Sequence, residues 1–312
     1  MPQSYLLLND KTGKFKNVTD QYATGLSNIG FVTQALWFDI NKDGNKDLLL
    51  TQEWGGITAF INNNRKFEKT VLSDKKGWWN FLLPVDVDND GDVDLIVGNL
   101  GTNSRLKASE KEPVKMYYND FDGNGKKEQI LTYFLNGKEI PFANKAELEK
   151  QMPSVMKKKF LYAEDFAKAS LTDMFTQSKL DKAAMFSVNY FSNAILINKG
   201  NLQFETKALP MAAQFSSLKD AVVVNANNDA LPDIFIGGNF YDDNIEMGRY
   251  DADYGTILIN KGNGNFNCET LNGLQIKGQI RHIKPILIGK QQAFVVARNS
   301  DSAMVIKFIN PQ

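Results

Sequence analysis

The chain has 312 residues, of which 43% are hydrophobic and 11% aromatic, so it can bury a large core in one or two domains. Its 36 basic and 36 acidic residues cancel, which argues against binding to nucleic acid or to an acidic membrane surface. The single cysteine, Cys268, and the single histidine, His282, exclude an intrachain disulfide and any cysteine or histidine cluster for a metal, and they argue against a hydrolytic triad.

The start of the chain resembles the middle of a repeat. Residues 4–20 contain two short apolar segments around a turn at Gly13 and are predicted to be the last two strands of a sheet. The basic, apolar and small-residue order of a signal peptide is absent, so we expect a fragment of a longer chain whose signal sequence lies upstream. No apolar run approaches the roughly 20 residues of a membrane span.

Most of the remaining chain is predicted to consist of short strands. Residues 28–71 give the clearest four-strand unit, and residues 79–100 begin another. Val114–Tyr118 leads into a further acidic loop, and about residues 144–180 carry helix-like spacing, which predicts a helical insertion interrupted near Pro153. Strands resume at Met185. The last segments are a unit over residues 215–270 and short strands at 283–288, 294–297 and 304–309.

An acidic loop recurs four times, over residues 39–47, 86–94, 120–128 and 225–233. Oxygen-bearing side chains stand at positions 1, 3, 5 and 9, and the first three copies have glycine at position 6, as a chain wrapped around calcium requires. The predicted ligands are Asp39, Asn41, Asp43 and Asp47; Asp86, Asp88, Asp90 and Asp94; Asp120, Asp122, Asn124 and Glu128; and the position-7 carbonyls of Asn45, Asp92 and Lys126.

The fourth copy is a weaker metal site. It offers Asn225, Asn227, Asp229 and Asp233, with Ala230 in place of the glycine. Carboxylates number four in the second loop, three in the first and third, and two in the fourth, which predicts the order of affinity. Two to four structural calcium ions are therefore predicted, with dissociation constants of about 10⁻⁴ to 10⁻³ M sufficing outside the cell.

The residues after each loop exclude an EF-hand. Position 12 is Leu50, Val97, Leu131 or Ile236 instead of the bidentate glutamate, and each loop runs into a short apolar segment typical of a buried strand. A second motif, a strand ending in asparagine before a turn and a phenylalanine, recurs at Asn9, Asn62, Asn198 and Asn260. Together these features predict an all-β fold, a β-propeller of five to seven four-stranded antiparallel blades with the helical insertion, forming a single domain over residues 1–312. Pairing of the N-terminal hairpin with the C-terminal strands would close the ring.

These motifs resemble a known family. The DxDxDGxxDL loops, the LxLN-type strands and the GNGxF turns are similar to FG-GAP/VCBS-type repeat propellers, which are related to the integrin α-subunit head. Residues 77–105 and 238–251 look like the C-terminal propeller of large secreted or surface-anchored bacterial FG-GAP proteins. The resemblance implies a calcium-bearing propeller, export from the cytoplasm and no established enzyme activity. Ala230 departs from the pattern and puts metal at the fourth loop in doubt.

Six residues are candidates for ligand contact. Trp54, Trp78 and Trp79 could stack on sugar rings, or could pack between blades, where large rings are the usual filling. Arg105, Arg249 and Asp251 lie in polar, glycine-containing loops of the kind that carry binding residues, although Arg249 and Asp251 could instead anchor their own loop.

The predicted function is a non-enzymatic binding or scaffold module for a protein or glycan partner. Its predicted location is extracellular, on the cell surface or periplasmic, and no catalytic residues are predicted. The alternatives are a carbohydrate-binding or carbohydrate-active propeller, and an intracellular interaction propeller, against which the weak calcium loops argue.

Overall fold

The computed structural model describes residues 1–244 and 246–308. Strands hold 44% of the residues and helices 12%, in agreement with the predicted all-β class. The chain divides into two compact units, a main unit formed by Met1–Ser104 and Phe191–Gln312 and an insert unit formed by Arg105–Tyr190. The single propeller domain over residues 1–312 stays a prediction.

Twenty strands and six short α-helices are present among the described residues. The main unit begins with β1 (Leu7–Asn9), β2 (Phe15–Asn17), α1 (Thr19–Tyr22), β3 (Phe31–Phe38), β4 (Asp47–Asn63), β5 (Lys66–Trp78), β6 (Phe81–Val85) and β7 (Asp94–Gly98). The insert unit contains β8 (Val114–Asn119), β9 (Glu128–Leu135), β10 (Lys138–Pro141), α2 (Lys145–Gln151), α3 (Pro153–Lys159), α4 (Ala163–Lys168), α5 (Leu171–Met174), α6 (Gln177–Asp181) and β11 (Ala184–Val188). The main unit resumes with β12 (Ala194–Asn198), β13 (Phe204–Ala208), a 3₁₀ turn (Met211–Gln214), β14 (Leu218–Val224), β15 (Asp233–Gly238), β16 (Thr256–Asn260), β17 (Phe266–Thr270), β18 (Gln279–Ile288), β19 (Gln291–Asn299) and β20 (Met304–Ile306). The predicted last strand extended to Ile309, which lies outside the described residues.

The strands form antiparallel sheets of similar order. The main unit has a first sheet (β3–β4–β5), a second sheet (β13–β12–β7–β6), a third sheet (β14–β15–β16–β17) and a fourth sheet (β18–β19–β20), besides the β1–β2 hairpin. The insert unit has one sheet, ordered β10–β9–β8–β11. The four-stranded antiparallel units expected from the sequence are therefore present.

The long strand β4 folds back on itself. The backbone N–H of Asn62 donates to Asp47 Oδ1 at 2.8 Å, although an extended chain of that length would hold these residues roughly 50 Å apart. The reversal lies at Trp54, whose φ is +60°, followed by Gly55 and Gly56. The first sheet thus contains four strand segments, as in the second and third sheets.

The second sheet is interrupted in sequence by the whole insert unit. Strand β7 pairs with β12, with Val97 opposite Ala194, and Gly101 N–H donates to the Phe191 carbonyl at 2.8 Å where the chain returns. The sequence predicts a helical insertion at about residues 144–180, preceded by Val114–Tyr118 and the third acidic loop. The structure instead places both the helices and the strands β8–β11 inside one inserted unit, and β12 and β13 complete the sheet that β6 and β7 begin.

The central strands of the main unit are buried on both faces. Every residue of β7, β12 and β15 is buried, which explains their continuous apolar sequences. One core joins the second and third sheets through residues such as Phe81, Ile96 and Ile234. Another joins the third and fourth sheets through residues that include Phe235 and Phe294. The second, third and fourth sheets of the main unit therefore pack face to face in series.

The helices of the insert unit cover its sheet. Asn144 caps α2 by accepting from Glu147 N–H at 3.0 Å, and Pro153 occupies the first turn of α3, which explains the predicted break between the two helices. Their buried side chains, with those of α5 and α6, pack on Phe121 of the acidic loop and on Ile130 of β9. The buried side chains that the helices and the residues capping them contribute are Leu148, Met152, Met156, Phe160, Leu171, Met174, Phe175 and Leu180.

Ring closure was predicted through the two ends of the chain. Among the described residues, β1 and β2 pair only with each other and the fourth sheet has three strands, so the two ends do not share a sheet. The closed propeller and its number of blades stay predictions.

Candidate functional site

The three loops with glycine at position 6 share one backbone geometry. The position-6 amide donates to the position-1 carboxylate, with distances of 2.9 Å from Gly44 to Asp39, 3.0 Å from Gly91 to Asp86 and 2.8 Å from Gly125 to Asp120. These glycines have φ of +89°, +94° and +85°, values that residues with a Cβ rarely adopt. The glycine therefore bends the loop so that its first side chain faces the side chains that follow.

The second loop has the arrangement best suited to a cation. Carboxylate oxygens of Asp86, Asp88 and Asp94 lie within 4.8 Å of one another, a spacing that one ion with oxygen ligands at 2.3–2.6 Å can bridge. Asp86 Oδ1 and Asp88 Oδ1 are buried and have no hydrogen-bond partner among the described residues. Buried carboxylate oxygens without a partner are costly, and a bound cation would remove that cost.

The acidity of these groups reflects the same crowding. Burial, the largest cause, together with Asp90 and Asp86 raises the pKa of Asp88. Burial also raises the pKa of Asp94 to about 6, although the N–H groups of Val87 and Asn198 donate to it. A group of crowded, partly buried carboxylates that offers only oxygen atoms fits calcium, the ion that the sequence predicts.

The third loop holds a similar group in the insert unit. Oxygens of Asp120, Asp122 and Glu128 lie within 4.8 Å of one another. Hydrogen bonds, first that from Gly125 N–H, lower the pKa of Asp120, whereas burial raises the pKa of Glu128. The Lys179 ammonium donates to the Phe121 carbonyl of the same loop. This loop therefore already has one cation beside it.

In the first and fourth loops, asparagine side chains donate hydrogen bonds to oxygens that could otherwise bind a metal. Asn41 Nδ2 donates to Asp43 Oδ2 at 3.0 Å, and Asn227 Nδ2 donates to Asp229 Oδ2 at 2.6 Å. Asn225 Nδ2 also donates to the Asp229 carbonyl. These contacts take acceptors that a metal would use, so both loops are poorer centres than the second.

The three residues at loop position 7 make the same backbone hydrogen bond. The N–H groups of Asn45, Asp92 and Lys126 each donate to the position-5 side chain at 2.7 Å. These bonds close the turn between positions 5 and 7, and the carbonyls of the three residues stay predicted ligands. The fourth loop keeps this bond, from Leu231 to Asp229 at 2.8 Å, although Ala230 is not in the left-handed region that the three glycines occupy.

A buried carboxylate at position 9 joins the two sequence motifs, a relation that the sequence did not reveal. In the second loop, Asp94 accepts from Val87 N–H at 3.0 Å and from Asn198 N–H at 2.8 Å. In the first loop, Asp47 accepts from Ile40 N–H and Asn62 N–H in the same way. The carboxylate therefore connects its loop to the asparagine that ends the third strand of the sheet.

The asparagine completes this contact, which we call the acid–asparagine clasp. Its side-chain amide donates back to the carbonyl preceding the acid, as in Asn198 to Val93 at 3.3 Å and Asn260 to Pro232 at 3.1 Å. The clasp is intact in the fourth loop, where Asp233 accepts from Ala226 N–H at 2.8 Å and from Asn260 N–H at 2.9 Å. Asp233 therefore has a structural role that does not require metal.

The predicted tryptophan candidates have different environments. Trp54 and Trp78 meet edge to face, with ring centroids 5.4 Å apart and an interplanar angle of 66°, and both line one pocket of the main unit. Trp79 is 0% exposed and its Nε1 donates to the Lys75 carbonyl, so its ring is part of the core and has no face open to a ligand. Adjacent residues of a strand point to opposite sides, and only one of the pair can face the pocket.

The three charged candidates are separate from this pocket. In the insert unit, the Arg105 guanidinium lies 4.9 Å from the Phe142 ring centroid and 5.8 Å from that of Tyr133. In the main unit, the Arg249 guanidinium lies 5.3 Å from the Tyr241 ring, so it contacts its own loop, and Asp251 is exposed.

The pocket contains charged residues that the sequence analysis missed. Glu53, Lys219 and Asp243 line it together with the two tryptophans and Phe240. Lys219 lies within the apolar strand β14, and a charged residue in such a strand was a signal available in the sequence. Glu53 and Asp243 carried no comparable signal.

Comparison with known proteins supports the repeat assignment. Residues 39–97 match the FG-GAP-like repeat family, and this range contains the first two acidic loops and the strands between them. The chain therefore contains an FG-GAP-like repeat, over a minority of its length. The search of curated proteins returned no match. No helix among the described residues is long and apolar enough to cross a membrane.

Proposed function

We propose, from the presence of an FG-GAP-like repeat, that this chain is a calcium-stabilised, non-enzymatic binding or scaffold module comparable to the integrin head. The observation that carries the calcium part is the pair of buried oxygens on Asp86 and Asp88 that lack a hydrogen-bond partner within the described part of the chain. Its partners would be proteins or glycans outside the cytoplasm.

The chemistry of the loops favours calcium over other metals. All side chains at the predicted positions offer carboxylate or amide oxygen, without the imidazole or thiolate groups that select zinc or copper. Calcium accepts six to eight oxygens in flexible geometry, whereas magnesium demands a near-ideal octahedron. A loop of closely spaced carboxylates with a backbone carbonyl fits the less demanding ion.

The role of the ion would be structural. Asp86 and Asp88 follow β6 and Asp94 begins β7, so an ion at this loop would hold the turn between two strands of the second sheet. Its two positive charges would offset much of the repulsion among the three crowded carboxylates. Asp94 also takes part in the acid–asparagine clasp, so the ion would strengthen a connection that reaches β12.

Carboxylate and amide composition supports an extracellular location. The first, third and fourth loops, with two or three carboxylates, would bind calcium weakly, with dissociation constants of about 10⁻⁴ to 10⁻³ M as in extracellular modules. Such loops would fill in a calcium-rich medium and remain largely empty at resting cytosolic concentrations. This supports export of the chain.

Calcium dependence can be tested by thermal melting. Protein stripped with EGTA is titrated with calcium, and the melting temperature is followed by circular dichroism, with magnesium as the control ion. We expect a saturable rise at millimolar calcium and a much smaller rise with magnesium, because ligands that bind only the folded state stabilise it by mass action. Identical melting with EGTA and with millimolar calcium would overturn the calcium part of the proposal.

A further inference from the structure

The main unit has a pocket of about 250 Å³ beside the turn within β4. Trp54 and Trp78 form an L-shaped corner of it, and Phe240 adds a third aromatic surface. Glu53, Lys219 and Asn80 bring polar groups to the same space. Aromatic walls with a few convergent polar groups are the usual composition of a small-molecule site.

The conformation of Trp54 points to a role for its side chain. A φ of +60° is the left-handed region, which glycine occupies freely and a bulky residue adopts only under constraint. The turn is tightly built, since a Cβ on Gly56 would lie 2.2 Å from the Ser73 carbonyl oxygen. Strained residues that the surrounding fold holds in place cluster at binding sites, and here the strain presents an indole ring to the pocket.

Trp78 is held rigidly at the other side of the corner. Its ring packs edge to face on buried Phe191, with centroids 5.0 Å apart and an interplanar angle of 63°. The apolar surface that the two indole rings offer is therefore already in position before a ligand binds. Pre-positioned aromatic surface reduces the ordering cost of binding.

The polar wall carries groups of both signs. Lys219 Nζ donates to Asn80 Oδ1 at 2.7 Å and lies 5.0 Å from the Phe240 ring centroid. Burial, the largest cause, and the Arg281 charge lower the pKa of Lys219 to about 8. Burial raises the pKa of Glu53 and of Asp243, although Glu53 keeps an exposed face.

The Glu53 carboxylate is free to accept hydrogen bonds. No hydrogen bond or ion pair engages it among the described residues. It is therefore an acceptor that a ligand hydroxyl could reach, in a pocket where the Lys219 ammonium has further N–H groups to donate besides the one that Asn80 accepts. This mixture of donors and acceptors suits a ligand with several hydroxyl groups.

We propose that this pocket binds one neutral pyranose residue of a glycan, with an apolar face of the sugar on Trp54 and Trp78 and its hydroxyls on Glu53 and Lys219. The proposal rests on the proposed binding function and names its ligand class. Glu53 and Asp243 would repel an anion, whereas Lys219 and Arg281 would repel an ammonium ligand. The volume is below that of a typical drug-sized site and suits a single ring.

The test measures binding of methyl glycosides of glucose, mannose, galactose and N-acetylglucosamine to the full chain, with calcium kept at saturation. Isothermal titration calorimetry and intrinsic tryptophan fluorescence are the readouts. Trp54→Gly removes the ring and leaves a residue that suits the turn, so it should weaken binding at least about tenfold without a matching loss of melting temperature. Glu53→Gln should weaken binding about tenfold by removing a charge-assisted hydrogen bond.

Trp37→Leu is the matched control. Trp37 is 45% exposed, lies in the same sheet and packs on Phe67 away from the pocket. We expect saturable binding of at least one glycoside that this variant retains and the two pocket variants lose. Binding of none of the glycosides, binding unaffected by Trp54→Gly and Glu53→Gln, or preferential binding of choline would each overturn the proposal. If melting still depends on calcium, such a failure would leave the proposed calcium-stabilised module standing.

Discussion

The acid–asparagine clasp predicts that Asp233→Asn lowers the stability of the chain strongly, although the fourth loop has the fewest carboxylates for a metal. Asp233 is 0% exposed, and its two oxygens accept N–H groups from Ala226 and Asn260 at 2.8 and 2.9 Å. Asparagine has one acceptor oxygen, so its NH₂ group would face one of these N–H donors. The lost charge-assisted bond and the unpaired buried N–H would together cost about 3 kcal/mol.

Thermal melting followed by circular dichroism measures this cost. For a unit of this size, 1 kcal/mol corresponds to about 2–4 °C, so Asp233→Asn should lower the melting temperature by roughly 6–12 °C. The loss should be the same with EGTA and with calcium, because the clasp is made by protein groups alone. Asp229→Asn, at an exposed position of the same loop, is the control and should change melting by no more than about 2 °C.

Two results would refute this reasoning. One is a variant that melts like the unsubstituted chain, which would show that the clasp contributes no stability. The other is a loss that appears only with calcium, which would show that Asp233 acts as a metal ligand.

Three further predictions follow from particular contacts. Asp88→Asn should shrink the calcium-induced rise in melting temperature while leaving melting in EGTA unchanged or slightly higher, because it relieves repulsion among the second-loop carboxylates. Burial raises the pKa of Asp253 to about 6, so its contribution to the free energy of unfolding is complete below about pH 4 and falls by about 3 kcal/mol as the pH rises through 6. Urea unfolding at pH 4.5 to 7.5 should therefore show a smaller decline for Asp253→Asn, and parallel profiles would contradict the assignment. Gly98→Ala should cost about 1–3 kcal/mol in urea unfolding, since its Cβ would lie 2.2 Å from Phe81 Cε1, and an unchanged midpoint would show that the core yields freely.

The local elements of this fold could be predicted from the sequence. The residue types at loop positions 1 and 6 depend only on contacts within the loop, so they are visible in the sequence. The observed hydrogen bonds from Gly44, Gly91 and Gly125 agree with that expectation. The strands after the loops are continuous apolar runs because packed sheets cover both faces, a pattern visible without coordinates.

Relations between distant segments could not be predicted in this way. The sequence shows the acidic loops and the asparagine-ended strands as two motifs, and only the register of β7 with β12 brings Asp94 to Asn198. The same limit applies to the interruption of the second sheet, because strands β8–β11 resemble any other repeat locally. Pairing across a long insertion depends on tertiary contacts that no local pattern encodes.

The pocket shows a third limit. Trp78 and Trp79 are adjacent, and their composition does not reveal which ring faces the core. The charged residues that line the pocket come from separate segments of the chain, which only the folded backbone brings together. Their influence on one another's pKa values could therefore not be inferred from the sequence.

The interrupted second sheet also constrains the order of events during synthesis. When the ribosome has released β6 and β7, the outer edge of β7 has no partner, and it stays open until translation has passed the whole insert and delivered β12. A nascent chain at that stage exposes an apolar strand edge that could pair with a neighbouring polypeptide. Shortening the delay, by joining residue 104 directly to residue 191 through a brief linker, should therefore reduce aggregation during expression.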